Sequence, residues 1–392
     1  MTFDFDKLTT RRGSGSVKWD AQPDAEVLPL WVADMDFEAA PCIRRAIEER
    51  ARHGVFGYVQ MPEAYYNAVR NWFSRRHHWD IDRSHMLYTI GVVPAISCCI
   101  KALTMPGERV LVTSPVYNCF YSCIHNNGCE VAESPLRINA SGMYEMDWDE
   151  FERQCANEKT RLFLLCNPHN PGGRIWSVDE LRRISTICQR HDVWVVSDEI
   201  HNELVMPGNH YTPYYTVTTD LDHSVALTSA SKSFNIAGLQ LASIVCANHD
   251  ARRRIDRAIN INEVCDVNPF GVVATIAAYS DEGAEWLDGL NRYVQQNYEL
   301  VRQFADRHPQ FTLMPLEGTY LAWLNVSPLC QHLGINVEQL EQRLISEAKI
   351  YFNAGTLYGT AGEGFLRINM ACQHAILTEA LQRFDRFIAQ HV

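Results

Sequence analysis

The chain has 392 residues, more than one hydrophobic core usually supports, so two domains, or one large domain with an appendage, are expected. Hydrophobic residues make up 46% and charged residues 21%, an ordinary globular balance that argues against a disordered or fibrous chain. The net charge of −12 argues against general nucleic-acid binding and against docking on anionic membranes, although a local pocket can still hold a small anion.

The 13 cysteines are scattered, with Cys98-Cys99 and Cys119…Cys123 the only tight pairs. Neither pair is matched by a second pair or by histidines at zinc-site spacing, so no metal site is expected. The start, MTFDFDKLTTRRGSGS, lacks the apolar stretch of a secretory signal, and no apolar run is long enough to span a bilayer. Free thiols and no export signal give a cytoplasmic expectation.

In chain order, residues 38–53 have helical spacing and end near Gly54. Residues 63–78 form a second expected helix, amphipathic through Tyr65, Val69, Trp72 and Phe73. A buried helix over 92–103 follows Gly91. Short, nearly continuous apolar runs then appear at 109–114, 161–167, 193–199, 225–230 and 243–248. Such runs fit strands buried on both faces. Helical segments lie between several of them, as at 178–191. The alternation implies an α/β fold with a mainly parallel sheet and helices on both sides.

Past about residue 290 the pattern changes. A long helix over 285–308 leads into 311–326, which alternates like one half-exposed strand. A helix over 337–348 and a strand near 364–370 follow. The expectation is a large α/β domain over 50–288 and a smaller α+β domain built from both termini, 1–49 and 289–392.

In open α/β sheets a ligand lies at the carboxyl ends of the strands. Three consecutive expected strands run into polar groups there: Asn167-Pro168-His169-Asn170-Pro171-Gly172-Gly173, then Asp198-Glu199-Ile200-His201, then Ser229-Ala230-Ser231-Lys232. An amide, a carboxylate and an amine thus face one crevice. These groups suit pyridoxal 5′-phosphate (PLP). Lys232 would form the Schiff base. Asp198 would keep the ring nitrogen protonated, which makes the ring an electron sink. Asn170 could donate to the phenolate oxygen. The helix start at Gly91-Val92-Val93, with the hydroxyls of Ser229 and Ser231, could hold the phosphate. Tyr117 follows another strand end and could stack on the ring.

Each residue also has an ordinary structural reading. Lys232 could be a surface lysine, and Asp198 a helix cap. Asn170 could belong to a plain turn, and Tyr117 to the core. Arg367 could pair with a surface carboxylate, but its neighbours Phe365, Leu366 and Ile368 favour an interior anionic partner. What decides for a site is the convergence of Lys232, Ser229, Ser231 and Asp198. His169 and His201 receive no role.

Six segments, in order, carry a family resemblance: WVADMDF (31–37), HGVFGY (53–58), SPVY (114–117), NPHNPGG (167–173), SDEIH (197–201) and SKSFNIAGLQ (231–240). The chain resembles the fold-type I PLP enzymes of the class I/II aminotransferase group, and within it the MalY/PatB-type C–S lyases, also called cystathionine β-lyases. The resemblance spans almost the whole chain. It implies that Lys232 carries PLP and moves the Cα proton. It implies that Asp198, Asn170, Tyr117, Gly91, Val92, Val93, Ser229 and Ser231 hold the cofactor. It implies that Tyr58 reaches the phosphate of a second subunit, hence a homodimer with shared sites. It implies that Arg367 clamps the substrate carboxylate.

The implied activity is α,β-elimination of cystathionine or a related cysteine S-conjugate to a thiol (homocysteine), pyruvate and ammonia. Three alternatives stand beside it. An aminotransferase would use the same Lys232. Another β-lyase would take a different sulfur conjugate in a pocket that Trp31, Phe37 and Tyr320 could line, each of them suiting the core equally well. A non-enzymatic module of the same fold would bind a partner. Gln240 stands where typical class I aminotransferases carry a phosphate-binding Arg, and this favours the lyase.

Overall fold

The structure, a computed structural model, describes residues 3–261 and 263–392; Met1 and Thr2 of the range 1–49, and Asn262 of the range 50–288, lie outside it. A seven-stranded sheet forms its centre, in the order Met86–Thr89, Ala242–Cys246, Ser224–Thr228, Trp194–Asp198, Thr160–Cys166, Arg109–Val112, Glu130–Glu133. Every pairing is parallel except the two made by Ala242–Cys246, so one reversed strand sits inside a parallel sheet. The fold class is α/β, as the apolar runs indicate.

The runs are continuous because both faces are covered. Val110, Val112, Leu162, Leu164 and Val196 pack with the helix Val92–Leu103. The alternate residues Leu111, Phe163, Leu165 and Val195 pack with Phe151, Leu181 and Ile184 on the opposite face. Side chains of a strand alternate between faces, so a strand sandwiched by helices needs apolar residues at every position. The helix Val178–Arg190 starts at a capping box in which Ser177 and Glu180 satisfy each other's backbone N–H. Met86–Thr89 and the edge strand Glu130–Glu133 escaped the reading; both are four-residue segments, and the second has only Ala132 fully buried.

A second, antiparallel sheet takes the order Thr312–Leu313, Leu321–Asn325, Phe365–Asn369, Asn353–Ala354. Here the structure corrects the expectation of one half-exposed strand over 311–326. Two strands flank an irregular segment, and Leu321–Leu324 are all buried. The break has a packing cause. The N–H groups of Glu317 and Gly318 both donate to the Gly173 carbonyl at 2.8 Å, which pulls this segment against 167–173. A side chain at 318 would lie 2.9 Å from Pro168, so only glycine permits the approach. The strand after the break is covered by Phe365 stacking on Trp323 at 5.0 Å.

Leu28–Pro29 pairs in parallel with Ile350–Tyr351, which ties the N-terminal segment to the C-terminal part of the chain. A 27-residue helix, Asp281–Arg307, and a C-terminal helix, His374–His391, complete this part; the last helix was not read from the sequence. Among the described residues no helix is long and apolar enough to cross a membrane.

Candidate active site

Five of the six strands that run in the same direction lead into one cavity of about 380 Å³. Asp198 is the last residue of its strand and is 3% exposed. Its carboxylate accepts the Ile200 N–H at 3.1 Å. Burial lifts its carboxyl to about 7, against which that hydrogen bond and the charge of Lys232 work. Lys232 follows the next strand, and its amine donates to the Ala33 carbonyl at 2.6 Å. Burial and the nearby charge of Arg367 lower that amine to about 8.

Arg367 enters from the second sheet, in the strand Phe365–Asn369, and is 4% exposed. Nη1 donates to Asn170 Oδ1 at 3.2 Å and Nη2 to the Trp31 carbonyl at 2.7 Å. Its guanidinium lies 4.7 Å from the Tyr358 ring centroid. Nε is buried without a partner. No described carboxylate forms an ion pair with it, and a buried cation in that state calls for an anion. Lys232 and Arg367 on the wall outnumber the one carboxylate, Asp198, so the cavity is locally positive in an acidic chain.

The backbone of Gly91, Val92 and Val93 opens the helix Val92–Leu103 on the same cavity wall. The free N–H groups of such a helix start make an anion site. Tyr117, just before the helix Asn118–Asn126, and Ser231 also line the wall. Burial raises the Tyr117 phenol well above its ordinary value, which keeps it neutral.

The fourth wall is N-terminal. The Trp31 carbonyl takes a second bond, from Asn353 at 3.0 Å. Asn369 Nδ2 donates to the carbonyls of both Val32 and Asp34. The segment is anchored by an ion network in which wholly buried Lys18 meets Asp36 at 2.8 Å, and Arg11 meets Asp34 at 2.6 Å and Asp36 at 2.7 Å.

The model of the family described as aminotransferase class I and II matches residues 25–384. The chain belongs to that family. It is 38% identical over 385 residues to cystathionine beta-lyase PatB of Bacillus subtilis (strain 168), covering 97% of this chain and 98% of that one. It is 34% identical over 386 residues to protein MalY of Escherichia coli (strain K12), covering 97% of each. Among solved structures it is similar to cystalysin from Treponema denticola, which contains a pyridoxal 5′-phosphate cofactor, with a TM-score of 0.95 and 32% identity over 100% of both chains.

In this class I and II chain, nine of the eleven residues singled out from the sequence meet on the cavity wall: Lys232, Asp198, Asn170, Tyr117, Gly91, Val92, Val93, Ser231 and Arg367. Two do not. Ser229 lies behind the wall; its hydroxyl donates to the Leu241 carbonyl at 2.6 Å and accepts the Ser231 N–H at 3.1 Å, so it shapes the loop before Lys232. Tyr58 is 94% exposed, beside exposed Val55 and Phe56, and is away from this chain's cavity. Gln240 is exposed and also off the wall.

Of the aromatic residues considered for the pocket, Trp31 lines it, whereas Phe37 packs in the core against Phe5 and Tyr293 and Tyr320 is buried behind the wall. His169 is structural: Nδ1 accepts the Gly172 N–H at 3.2 Å, and burial holds the ring at about 3. His201 is the residue that sequence reasoning left unused. It lines the cavity, Nδ1 is buried without a partner, and burial beside Lys232 and Arg367 keeps the imidazole neutral. Its place three residues after Asp198 was the available signal.

Proposed function

We propose that this chain is a PLP-dependent carbon–sulfur β-lyase that converts cystathionine or a related cysteine S-conjugate, with one water, to a thiol, pyruvate and ammonia. The observation that carries the reading is the meeting of Lys232, Asp198 and unpaired Arg367 in one cavity. The residues present fit the cofactor. A buried carboxylate raised to about 7 is stabilised by a cationic N–H, which a protonated pyridine offers. The helix start at Gly91–Val93 and Ser231 suit a phosphate, and Lys232 suits covalent attachment. Bound PLP supplies an electron sink for charge that develops at the substrate Cα.

The chain's own residues do the rest. Arg367 takes the α-carboxylate through Nη2 and the unused Nε, which fixes the Cα–H bond relative to Lys232. The Lys232 amine, at about 8, accepts the Cα proton near neutral pH and can deliver it to the departing sulfur. Asp198, buried on the cavity wall, would pair with the ring nitrogen of bound PLP and favour its protonated form.

The seven-stranded sheet uses strands between residues 86 and 246, the second sheet strands between 312 and 369, and Leu28–Pro29 joins 350–351. This supports a large domain over 50–288 and a small domain from 1–49 and 289–392. Exposed Val55, Phe56 and Tyr58 form an apolar segment suited to burial in a homodimer with shared sites. The free, mostly buried cysteines agree with a cytoplasmic enzyme.

The deciding assay follows pyruvate and free thiol from cystathionine with PLP present and no keto acid. Sustained release of both, lost in Lys232→Ala, is expected. Absence of thiol, with the cofactor absorbance shifting to an aminated form that a keto acid reverses, would make the chain an aminotransferase.

A further inference from the structure

The Ala33 carbonyl accepts two donors at once: the Lys232 amine at 2.6 Å and the Tyr320 phenol at 2.8 Å. A carbonyl oxygen has two lone pairs, and both are used here. Tyr320 is wholly buried and does not line the cavity, so it does not touch substrate. Its ring is braced edge-on by His201, with centroids 6.0 Å apart. The carbonyls on either side of Ala33 are fixed as well, by Asn369, and the Trp31 carbonyl by Arg367. One short backbone segment therefore holds both the carboxylate clamp and the amine. With PLP held on Lys232, a substrate amine taking its place would set the lysine amine free, and a free amine on a long flexible stem loses its aim unless something accepts from it.

We propose that Tyr320 is a positioning residue: its phenol fixes the Ala33 carbonyl, and that carbonyl holds the released Lys232 amine in line with the substrate Cα. The inference rests on the PLP reading of Lys232 and not on which bond of the substrate breaks. An acceptor of this kind binds an ammonium more strongly than a neutral amine, so it also supports the protonated form that must return a proton.

The test compares Tyr320→Phe with Tyr298→Phe, a matched control whose phenol donates to the Met314 carbonyl at 3.0 Å away from the cavity. Each full-length protein is stripped of PLP, and the rate at which it recaptures PLP is followed by absorbance from pH 6 to 10. Only the neutral amine attacks the aldehyde, and Asp198, raised to about 7, is common to every variant, so a difference in midpoint between variants reports Lys232. In Tyr320→Phe the midpoint is expected to fall by about half a unit or more. In the reloaded enzyme kcat is expected to fall about tenfold with KM within about twofold. Tyr298→Phe should match the wild type in both. Asn369→Ala, which frees the neighbouring carbonyls, should shift the midpoint in the same direction and serves if Tyr320→Phe does not fold.

A wild-type midpoint and kcat in Tyr320→Phe would overturn the proposal, as would equal changes in Tyr298→Phe. If the wild type captures PLP but releases no thiol from any conjugate, the lyase reading fails while the midpoints still decide the role of Tyr320. A chain that captures no PLP overturns both.

Discussion

Arg367 and Trp31 stand 336 positions apart, yet the Arg367 guanidinium donates to the Trp31 carbonyl at 2.7 Å. The contact closes the cavity between the second sheet and the N-terminal segment. Nε of Arg367 is left buried without a partner, so a carboxylate held with two parallel bonds would take Nε together with Nη2.

That geometry is specific to a guanidinium. Lys at 367 would keep the charge but reach one oxygen at a time. KM for cystathionine is expected to rise about a hundredfold in Arg367→Lys and kcat to fall about tenfold, because one-point contact no longer orients the Cα–H bond. Steady-state kinetics checks this. A fall in kcat with unchanged KM would place Arg367 away from the carboxylate.

Asp198 titrates near 7 in the fold, against an ordinary 3.8. Its folded value is raised, so between about pH 4 and 7 the folded chain retains a proton that the unfolded chain has lost. Stability from this group is therefore full below pH 4 and is lost as pH rises through 7. Asn at 198 carries no such penalty. The PLP-free Asp198→Asn protein is expected to melt above the PLP-free wild type at pH 8 and level with it near pH 4, while the loaded variant loses most of its turnover. Melting curves across that pH range decide. Glu199, also raised to about 7, is present in both proteins and cancels from the comparison.

Tyr58 is 94% exposed and has no partner within this chain's cavity, and so its proposed role needs a second subunit. Tyr58→Ala and Lys232→Ala are each expected to be nearly inactive. Co-refolded in equal amounts, half of the dimers would be mixed, each with one site free of both changes. Activity should then return to roughly a quarter of the wild type. No recovery would mean that Tyr58 serves its own chain's site, and a fully active Tyr58→Ala would mean that it serves none.

Much of this protein was legible in the sequence because its signals are local. Continuous apolar runs forced strands covered on both faces, and the groups at their carboxyl ends, Asn170, Asp198 and Lys232, had to share one edge of a parallel sheet. Family segments then named the chemistry. What only the tertiary structure decided is carried by backbone atoms and by long-range contact. The carbonyls of Trp31 and Ala33 have no side-chain signature, yet they hold Arg367 and Lys232 across 336 and 199 positions. Ser229 read as a phosphate ligand because of its residue type; the fold spends its hydroxyl on the Leu241 carbonyl instead. Tyr320 suited the pocket or the core equally by its type; it lies behind the wall, aimed at the carbonyl that holds the lysine. Periodicity and residue type select which face of an element is buried and which end carries chemistry. Which partner a buried polar group finds depends on how distant segments close on one another, because each such group must be satisfied by whatever donor or acceptor the packing brings within reach.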